Sequence, residues 1–289
     1  MILQRRSYVV PLPGSSALDL GARCLVMGVL NVTPDSFAES PHIQDPDAAA
    51  AAALRLAAQG ADLIDLGGES TRPGADPVSV DEELARVVPV LERLRGRLSI
   101  PIAIDTYKSA VARAAIDAGA AIVNDVSGLR HDPALAAVAA ETGAALVLMH
   151  SRGTPKTMND EAVYGDVVRD AAEELRRSVA AATAAGVPAA RIIVDPGLGF
   201  AKRAAHSYGV LARLPELAAL LDRPLLVGAS RKSFMRSALG DRPPVERDWG
   251  TAAAVAAAVL GGAHIVRVHN VDAMAQVVRV AEEIRKGAK

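Results

Sequence analysis

Eight short aliphatic runs recur along the 289 residues, and each ends in a side chain able to bind or react. In order these ends are Asn31 after LVMGVL, Asp65 after ADLI, Asp105 after IPIAI, Asn124 after AAIV, His150 after ALVLM, Asp195 after RIIV, Ser230–Lys232 after PLLVGA, and Arg267–His269 after HIV. The runs place strands near 25–31, 61–66, 100–105, 121–126, 145–150, 191–195, 224–229 and 264–269. Segments of helical character lie near 46–59, 80–95, 108–118, 133–141, 162–185, 206–221, 248–261 and 271–286. Strict alternation of strand and helix implies a parallel sheet. Eight such units imply closure into a (β/α)8 TIM barrel, whose active site lies at the C-terminal ends of its strands. Here those ends are also where the reactive side chains fall. An open doubly wound sheet is the competing architecture, but no G-x-G-x-x-G follows the first run.

Helix boundaries carry their own signals. Asp47, Ser79 and Asp132-Pro133 stand where a cap or first-turn proline is favoured. Gly60, Gly119, Gly143 and Gly186 stand where a helix end wants a left-handed residue. Residues 1–24 read as an N-terminal cap, such as a short hairpin across the barrel bottom, and 25–289 as the barrel, giving one domain over 1–289.

Composition narrows the classes. Hydrophobic residues make up 51% of the chain and aromatic residues only 3%, so the core must be Ala, Val, Leu and Ile, which suits buried parallel strands. The net charge of −1 offers no basic stripe for nucleic acid. The single cysteine, Cys24, permits neither a disulfide framework nor a cysteine metal site, and zinc is not expected. The N-terminal stretch lacks a signal-peptide core, and no run approaches the ~18 apolar residues of a membrane span. A cytoplasmic protein without membrane partners is expected. Alternation along a strand puts residues i and i+2 on one face. It therefore pairs Ser230 with Lys232, and Arg267 with His269. Asp125 should turn to the helices, and His150 reads as structural.

Four stretches are too unusual for ordinary loops: MGVLNVTPDSF (27–37), DLGGESTRPG (65–74), DPGLGF (195–200) with Lys202, and GASRKSF (228–234). With IVRVH (265–269) they resemble the dihydropteroate synthase family of the folate pathway, in order and over the whole barrel. The resemblance implies a (β/α)8 fold and a transferase. That enzyme condenses 6-hydroxymethyl-7,8-dihydropterin pyrophosphate with p-aminobenzoate, giving 7,8-dihydropteroate and pyrophosphate. It implies a pterin site of Asp105, Asn124, Met149, Asp195 and Lys232, with Asp195 accepting two parallel N–H bonds from the pterin edge. It implies a pyrophosphate site of Asn31, Thr71, Arg267 and His269, with Asn31 helping to hold Mg²⁺. Phe37, Thr71, Arg72, Pro73, Phe200 and Ser230 would line the p-aminobenzoate site. Asn31, Asp105, Lys232, Arg267 and His269 would carry the chemistry, by loss of pyrophosphate and capture of the dihydropterin cation by the aryl amine. The family also implies a homodimer, for which AAAVAAAVL (252–260) and MAQVVRVAEEI (274–284) are apolar enough.

The chain departs from the family after Phe37. The usual Ser-Asp-Gly-Gly is replaced by Ala38-Glu39-Ser40-Pro41, which trades glycine freedom for a fixed φ at Pro41. The usual glycine after Phe200 is Ala201. Two rival readings follow: a non-catalytic pterin-binding paralogue, and a pterin-dependent methyltransferase served by a corrinoid partner. The second leaves SRKSF and RVH without a use.

Overall fold

The computed structural model describes residues 5–33, 45–70, 74–154 and 156–288. A hairpin opens it, β1 (Tyr8–Pro11) pairing antiparallel with β2 (Ala17–Leu20). The barrel strands follow: β3 (Leu25–Asn31), β4 (Leu63–Gly67), β5 (Ile102–Asp105), β6 (Ile122–Asp125), β7 (Ala145–Met149), β8 (Ile192–Asp195), β9 (Leu226–Val227) and β10 (Ile265–Val268). All their pairings are parallel, in the order β8-β7-β6-β5-β4-β3-β10-β9. The seam between β8 and β9 closes through a single bridge, Val194 to Leu225, with Val194 N–H donating to Pro224 O at 3.0 Å. The chain is thus a (β/α)8 barrel. Strand β9 is only two residues long, against the six expected at 224–229. Proline at 224 has no N–H to give a neighbouring strand, and Gly228 onward turns into the site.

The helices are α1 (Pro46–Ala58), α2 (Val80–Leu94), α3 (Ser109–Asp117), α4 (Ala134–Thr142), α5 (Val167–Ala184), α6 (Ala204–Ala212), α7 (Leu214–Leu221), α8 (Arg236–Leu239), α9 (Asp248–Leu260) and α10 (Val271–Gly287). The single helix expected over 206–221 is two. Pro215 sits in the first turn of α7, where its missing N–H is harmless, but it could not have continued α6. The expected start of α5 at 162 moves to 167, because Asp166 caps the helix by accepting from Val168 and Arg169 N–H. Asp45, rather than Asp47, caps α1; its carboxylate accepts from Asp47 N–H. Ser79 caps α2 as expected.

Strand alternation sorts the barrel into layers. Leu25, Met27, Leu63, Ala103, Ile122, Ala145, Val147, Ile193, Leu226 and Ile265 point inward and pack with Val10, Leu12, Leu18 and Leu20 of the hairpin, which plugs the bottom. The intervening residues, among them Ile64, Ile104, Val123, Leu146, Val194 and Val266, face the helices. Two residues beyond the apolar layer the inward positions become Asp65, Asp105, Asn124, Asp195 and Arg267, all buried but for partly buried Arg267. One strand period therefore separates an aliphatic floor from a polar ceiling, and all of the polarity faces the barrel's C-terminal mouth.

Candidate active site

A cleft of about 390 Å³ opens above this polar layer. Of the residues singled out from sequence, Asn31, Asp105, Phe200, Ser230, Lys232, Arg267 and His269 line it together. Asp195 lies one contact deeper, and Asn124 lies deeper still, behind Asp65. Asp195 Oδ2 is 3.7 Å from where a Cβ on the cleft-lining Gly228 would stand. Asn124 Nδ2 donates to both oxygens of Asp65, at 3.3 and 3.2 Å. Met149, like Asn124 and Asp195, is not among the residues that line this cleft. It is buried against Gly197 and borders a smaller cavity of about 250 Å³ behind β7, with His150 and Glu174. Phe37, Thr71, Arg72 and Pro73, and the departure at Ala38–Pro41, lie outside the described residues.

Arg267 organises the centre. Its Nε donates to Asp65 Oδ2 at 2.5 Å and its Nη2 to Asp105 Oδ2 at 2.8 Å. Sequence reasoning placed Asp65 at a strand end but gave it no role; it holds Arg267 and Asn124 at once. Asp105 Oδ1, by contrast, is buried with no hydrogen-bond partner. An orphaned carboxylate oxygen is costly to bury, and this one borders the cleft, where a ligand donor would satisfy it. Burial, reinforced by the nearby Asp65, pushes the Asp105 carboxyl up to about 8, with Arg267 opposing. The folded protein therefore holds a proton that the unfolded chain releases above about pH 4, so stability falls as pH rises toward about pH 8. Asn cannot ionise there and still accepts from Arg267. Ligand-free Asp105→Asn is expected to lose less Tm than the parent between about pH 5 and about pH 8. An equal loss would assign the titration to another group.

Ser230 and Lys232 lie beyond the end of β9, so strand alternation does not place them. The turn does: Arg231 takes a left-handed φ of 60°, and its guanidinium is held by Asp248 at 2.8 and 3.1 Å. A bulky residue in that conformation signals a functional constraint. Lys232 Nζ donates to Leu198 O at 2.6 Å and stands 4.6 Å from the centroid of the Phe200 ring. Burial pushes its ammonium down to about 8, with Asp195 opposing and Arg267 adding to the fall. Ser230 Oγ accepts from His269 N–H at 3.2 Å and lies 3.0 Å from His269 Nδ1. Asp195 Oδ1 accepts from Gly197 N–H at 2.7 Å. Only glycine fits at 197: its φ is 65° and a Cβ would fall 1.9 Å from His150 O.

His150 is held structurally, as the sequence suggested, by Lys202 and Glu174. Asp125 caps the loop after β6, accepting from Ser127 and Leu129 N–H. Arg247 also lines the cleft, donating to Arg231 O at 3.0 Å. It arrives from the stretch after α8, which carries no strand-end signal. Glu69 is a further lining residue missed from sequence. With Tyr107, Lys108 and Glu83 it forms a buried cluster: Lys108 Nζ donates to Glu69 Oε2, to Glu83 Oε2 at 2.7 Å and to Val78 O at 2.8 Å. Lys108→Met would leave two buried carboxylates facing each other. The expected cost is about 3–5 kcal/mol, read as a lower denaturant midpoint at unchanged m-value; a loss below about 1 kcal/mol would show that solvent reaches the pair.

Among the described residues no group of three His, Cys, Asp or Glu could hold a metal. The donor set suits a hard ion that keeps its waters and leans on substrate phosphates. Asn31 borders the cleft, and glycine at 67 leaves its amide oxygen room, since a Cβ there would come within 3.3 Å.

The pterin-binding enzyme model matches residues 27–269, a span that runs from β3 to the His269 just described. The chain belongs to the pterin-binding enzyme family. It is 47% identical over 275 residues to a dihydropteroate synthase of Synechocystis, covering 95% of each chain. It is 45% identical over 267 residues to a dihydropteroate synthase of Bacillus subtilis, covering 92% of this chain and 90% of that one. Among solved structures, Yersinia pestis dihydropteroate synthase in a sulfonamide drug complex superposes with a TM-score of 0.90 at 42% identity, over 95% of this chain and 98% of that one. Burkholderia cenocepacia dihydropteroate synthase complexed with 7,8-dihydropteroate gives 0.86 at 44% identity, over 97% and 99%.

Proposed function

We infer that this chain catalyses dihydropteroate synthesis, transferring the dihydropterin methylene group from 6-hydroxymethyl-7,8-dihydropterin pyrophosphate to the amine of p-aminobenzoate. Likeness to dihydropteroate synthases over nearly the full length of both chains carries the overall reaction. The roles of the residues are read from the cleft. Asp195 offers both carboxylate oxygens to the pterin's adjacent N–H groups, its Oδ1 accepting from Gly197 N–H as well. Asp105 gives up its proton when the pterin binds, so that its unpartnered Oδ1 accepts from a further ring donor, and Lys232 lies along the ring. Arg267 and His269 hold the pyrophosphate at the mouth, where negative charge grows as the C–O bond breaks. Fixed donors at that point stabilise the departing group without reorganising. Asp105 faces the cationic pterin left behind. The aryl amine attacks as the free base, so no residue is required to deprotonate it beforehand. Mg²⁺, held by Asn31 and the substrate's own pyrophosphate, would offset the charge of the leaving group.

We further propose a homodimer in the cytoplasm, the chain being without a helix long and apolar enough to cross a membrane among its described residues. Most of the apolar surface of α9 and α10 is spent within the barrel, with Val255, Val259, Met274 and Val278 buried. What supports pairing is the remainder: Trp249 is 88% exposed, and Val280 and Ile284 share an outer face of α10. Light scattering is expected to give twice the monomer mass at micromolar concentration; a monomer removes the pairing.

Pyrophosphate release measured with Mg²⁺, with and without p-aminobenzoate, tests the reaction when product mass is read alongside. Pteroate formation dependent on p-aminobenzoate is expected. No release, with the pterin pyrophosphate still bound, would favour the non-catalytic paralogue instead.

A further inference from the structure

Lys202 is one of the most deeply buried cations in the protein, only 5% exposed, and the chemistry above makes no use of it. It lies behind the 197–201 loop. Its Nζ is 3.1 Å from Gly197 O, 3.1 Å from Phe200 O, 3.4 Å from His150 O and 2.6 Å from His150 Nδ1. Every neighbour in that set can accept, so the group is built to receive the N–H donors of the Lys202 amine, whose pKa burial pulls well below the usual lysine range with Asp195 opposing. His150 fits the same assignment. Burial, with Lys202 beside it, pushes its ring down to about 4, leaving Nδ1 unprotonated to accept while Nε2–H donates to Glu174 Oε2 at 3.0 Å. Glu174 is in turn gripped by Arg152. Burying an ammonium costs heavily unless its environment is fully committed to it, and an aliphatic side chain here would leave those buried acceptors without a donor.

The loop that Lys202 grips has Lys232 on its other face. Gly197 and Phe200 turn their carbonyls back to Lys202, while Leu198 turns its carbonyl forward to Lys232 Nζ at 2.6 Å. Left-handed φ values at Gly197 (65°), Gly199 (76°) and Ala201 (47°) permit this reversal. The Ala201 carbonyl is pinned separately by Tyr164 Oη at 2.8 Å. The loop is thus clamped between two lysines. Its forward face supplies both contacts that locate the Lys232 ammonium, the Leu198 carbonyl and the Phe200 ring.

We propose that Lys202 is a positioning residue. By drawing the Gly197 and Phe200 carbonyls backward it holds the loop's forward face on Lys232, and so sets the pterin end of the cleft without touching substrate. This rests on the reading of the cleft as a pterin pyrophosphate site. The pyrophosphate end, built on Arg267 and His269, does not depend on the loop and is left alone.

The test is a double-mutant cycle on the full-length protein, read as Kd for 6-hydroxymethyl-7,8-dihydropterin pyrophosphate and for inorganic pyrophosphate with Mg²⁺. Lys202→Met is expected to weaken the pterin ligand by about 10- to 100-fold and to leave inorganic pyrophosphate within about two-fold. On a Lys232→Met background the same change is expected to cost less than about two-fold, because the residue it acts through is gone. If Lys202→Met does not fold, Lys202→Gln, which keeps two N–H donors, replaces it with an intermediate loss of about five-fold expected. A folded variant with undiminished pterin affinity overturns the proposal. So does an equal loss for both ligands, or a loss that persists undiminished without Lys232. Parent protein that binds inorganic pyrophosphate but no pterin ligand would instead overturn the reading of the cleft, and the proposal with it.

Discussion

Replacing Asp195 by Asn is expected to weaken 6-hydroxymethyl-7,8-dihydropterin pyrophosphate binding by about 10²- to 10³-fold, or some 3–4 kcal/mol. The change removes one charge and reverses one partner. A carboxylate accepts two parallel N–H bonds; a carboxamide accepts one and presents an NH₂ to the other donor, leaving two donors face to face in a closed site. The fold should tolerate it. Asp195 Oδ1 accepts from Gly197 N–H, and an Asn oxygen can keep that bond. Removing the carboxylate also removes a buried charge, since burial holds the Asp195 carboxyl above the ordinary range against the pull of Lys232. Titration calorimetry on a variant with undiminished Tm is the measurement. Affinity within about three-fold of the parent would take the pterin off Asp195. The complementary arm is p-aminobenzoate capture with pyrophosphate already bound, which should survive in Asp195→Asn because Asp195 is not among the residues proposed to line that site.

How much of this site was legible beforehand follows from where each residue gets its position. Asp65, Asp105, Asn124, Asp195 and Arg267 take theirs from strand parity. Each is an even number of residues above an inward-facing aliphatic one, and that parity is written in the chain. Ser230 and Lys232 do not: β9 stops at Val227, and a turn with a left-handed Arg231 takes over. The motif found them, while the alternation argument attached to them rested on a strand that is not there. Met149 ends a strand with inward parity too, but it packs against Gly197 and, like Asn124 and Asp195, is not among the residues that line the cleft. Partnerships across the barrel were less legible still. Arg267 finds Asp65 and Asp105 at separations of 202 and 162 residues, and Lys108 finds Glu69 at 39. Charge sign makes such pairs possible, but only closure of the barrel chooses among them. Arg247 had no signal at all, because it enters the cleft from the stretch beyond α8 rather than from a strand.

The second large effect is expected at Arg267, where the substitution to lysine separates charge from geometry. Arg267→Lys should lower kcat/KM for the pterin pyrophosphate by about 10³-fold, near 4 kcal/mol of transition-state stabilisation. The guanidinium spends Nε on Asp65 at 2.5 Å and Nη2 on Asp105 at 2.8 Å, which leaves its remaining N–H groups directed by a plane that two acidic side chains hold fixed. An ammonium is a point charge on a flexible stem. It can meet one of those acidic side chains, but it cannot bridge both and still aim donors at a phosphate. Retaining the positive charge spares the protein the larger penalty of stranding two buried acids, so the loss should fall on kcat more than on Tm. The loss should also be weighted to the chemical step, because pyrophosphate gathers its charge as the bond breaks and a preorganised donor gains most there. Single-turnover pyrophosphate release, compared with the Kd of the unreacted substrate, separates the two. A variant that binds within about ten-fold yet releases pyrophosphate about a hundred-fold more slowly would place Arg267 on the leaving group. One that loses binding and rate in equal measure would instead make it a ground-state anchor, with Asp65 and Asp105 serving only to hold it still.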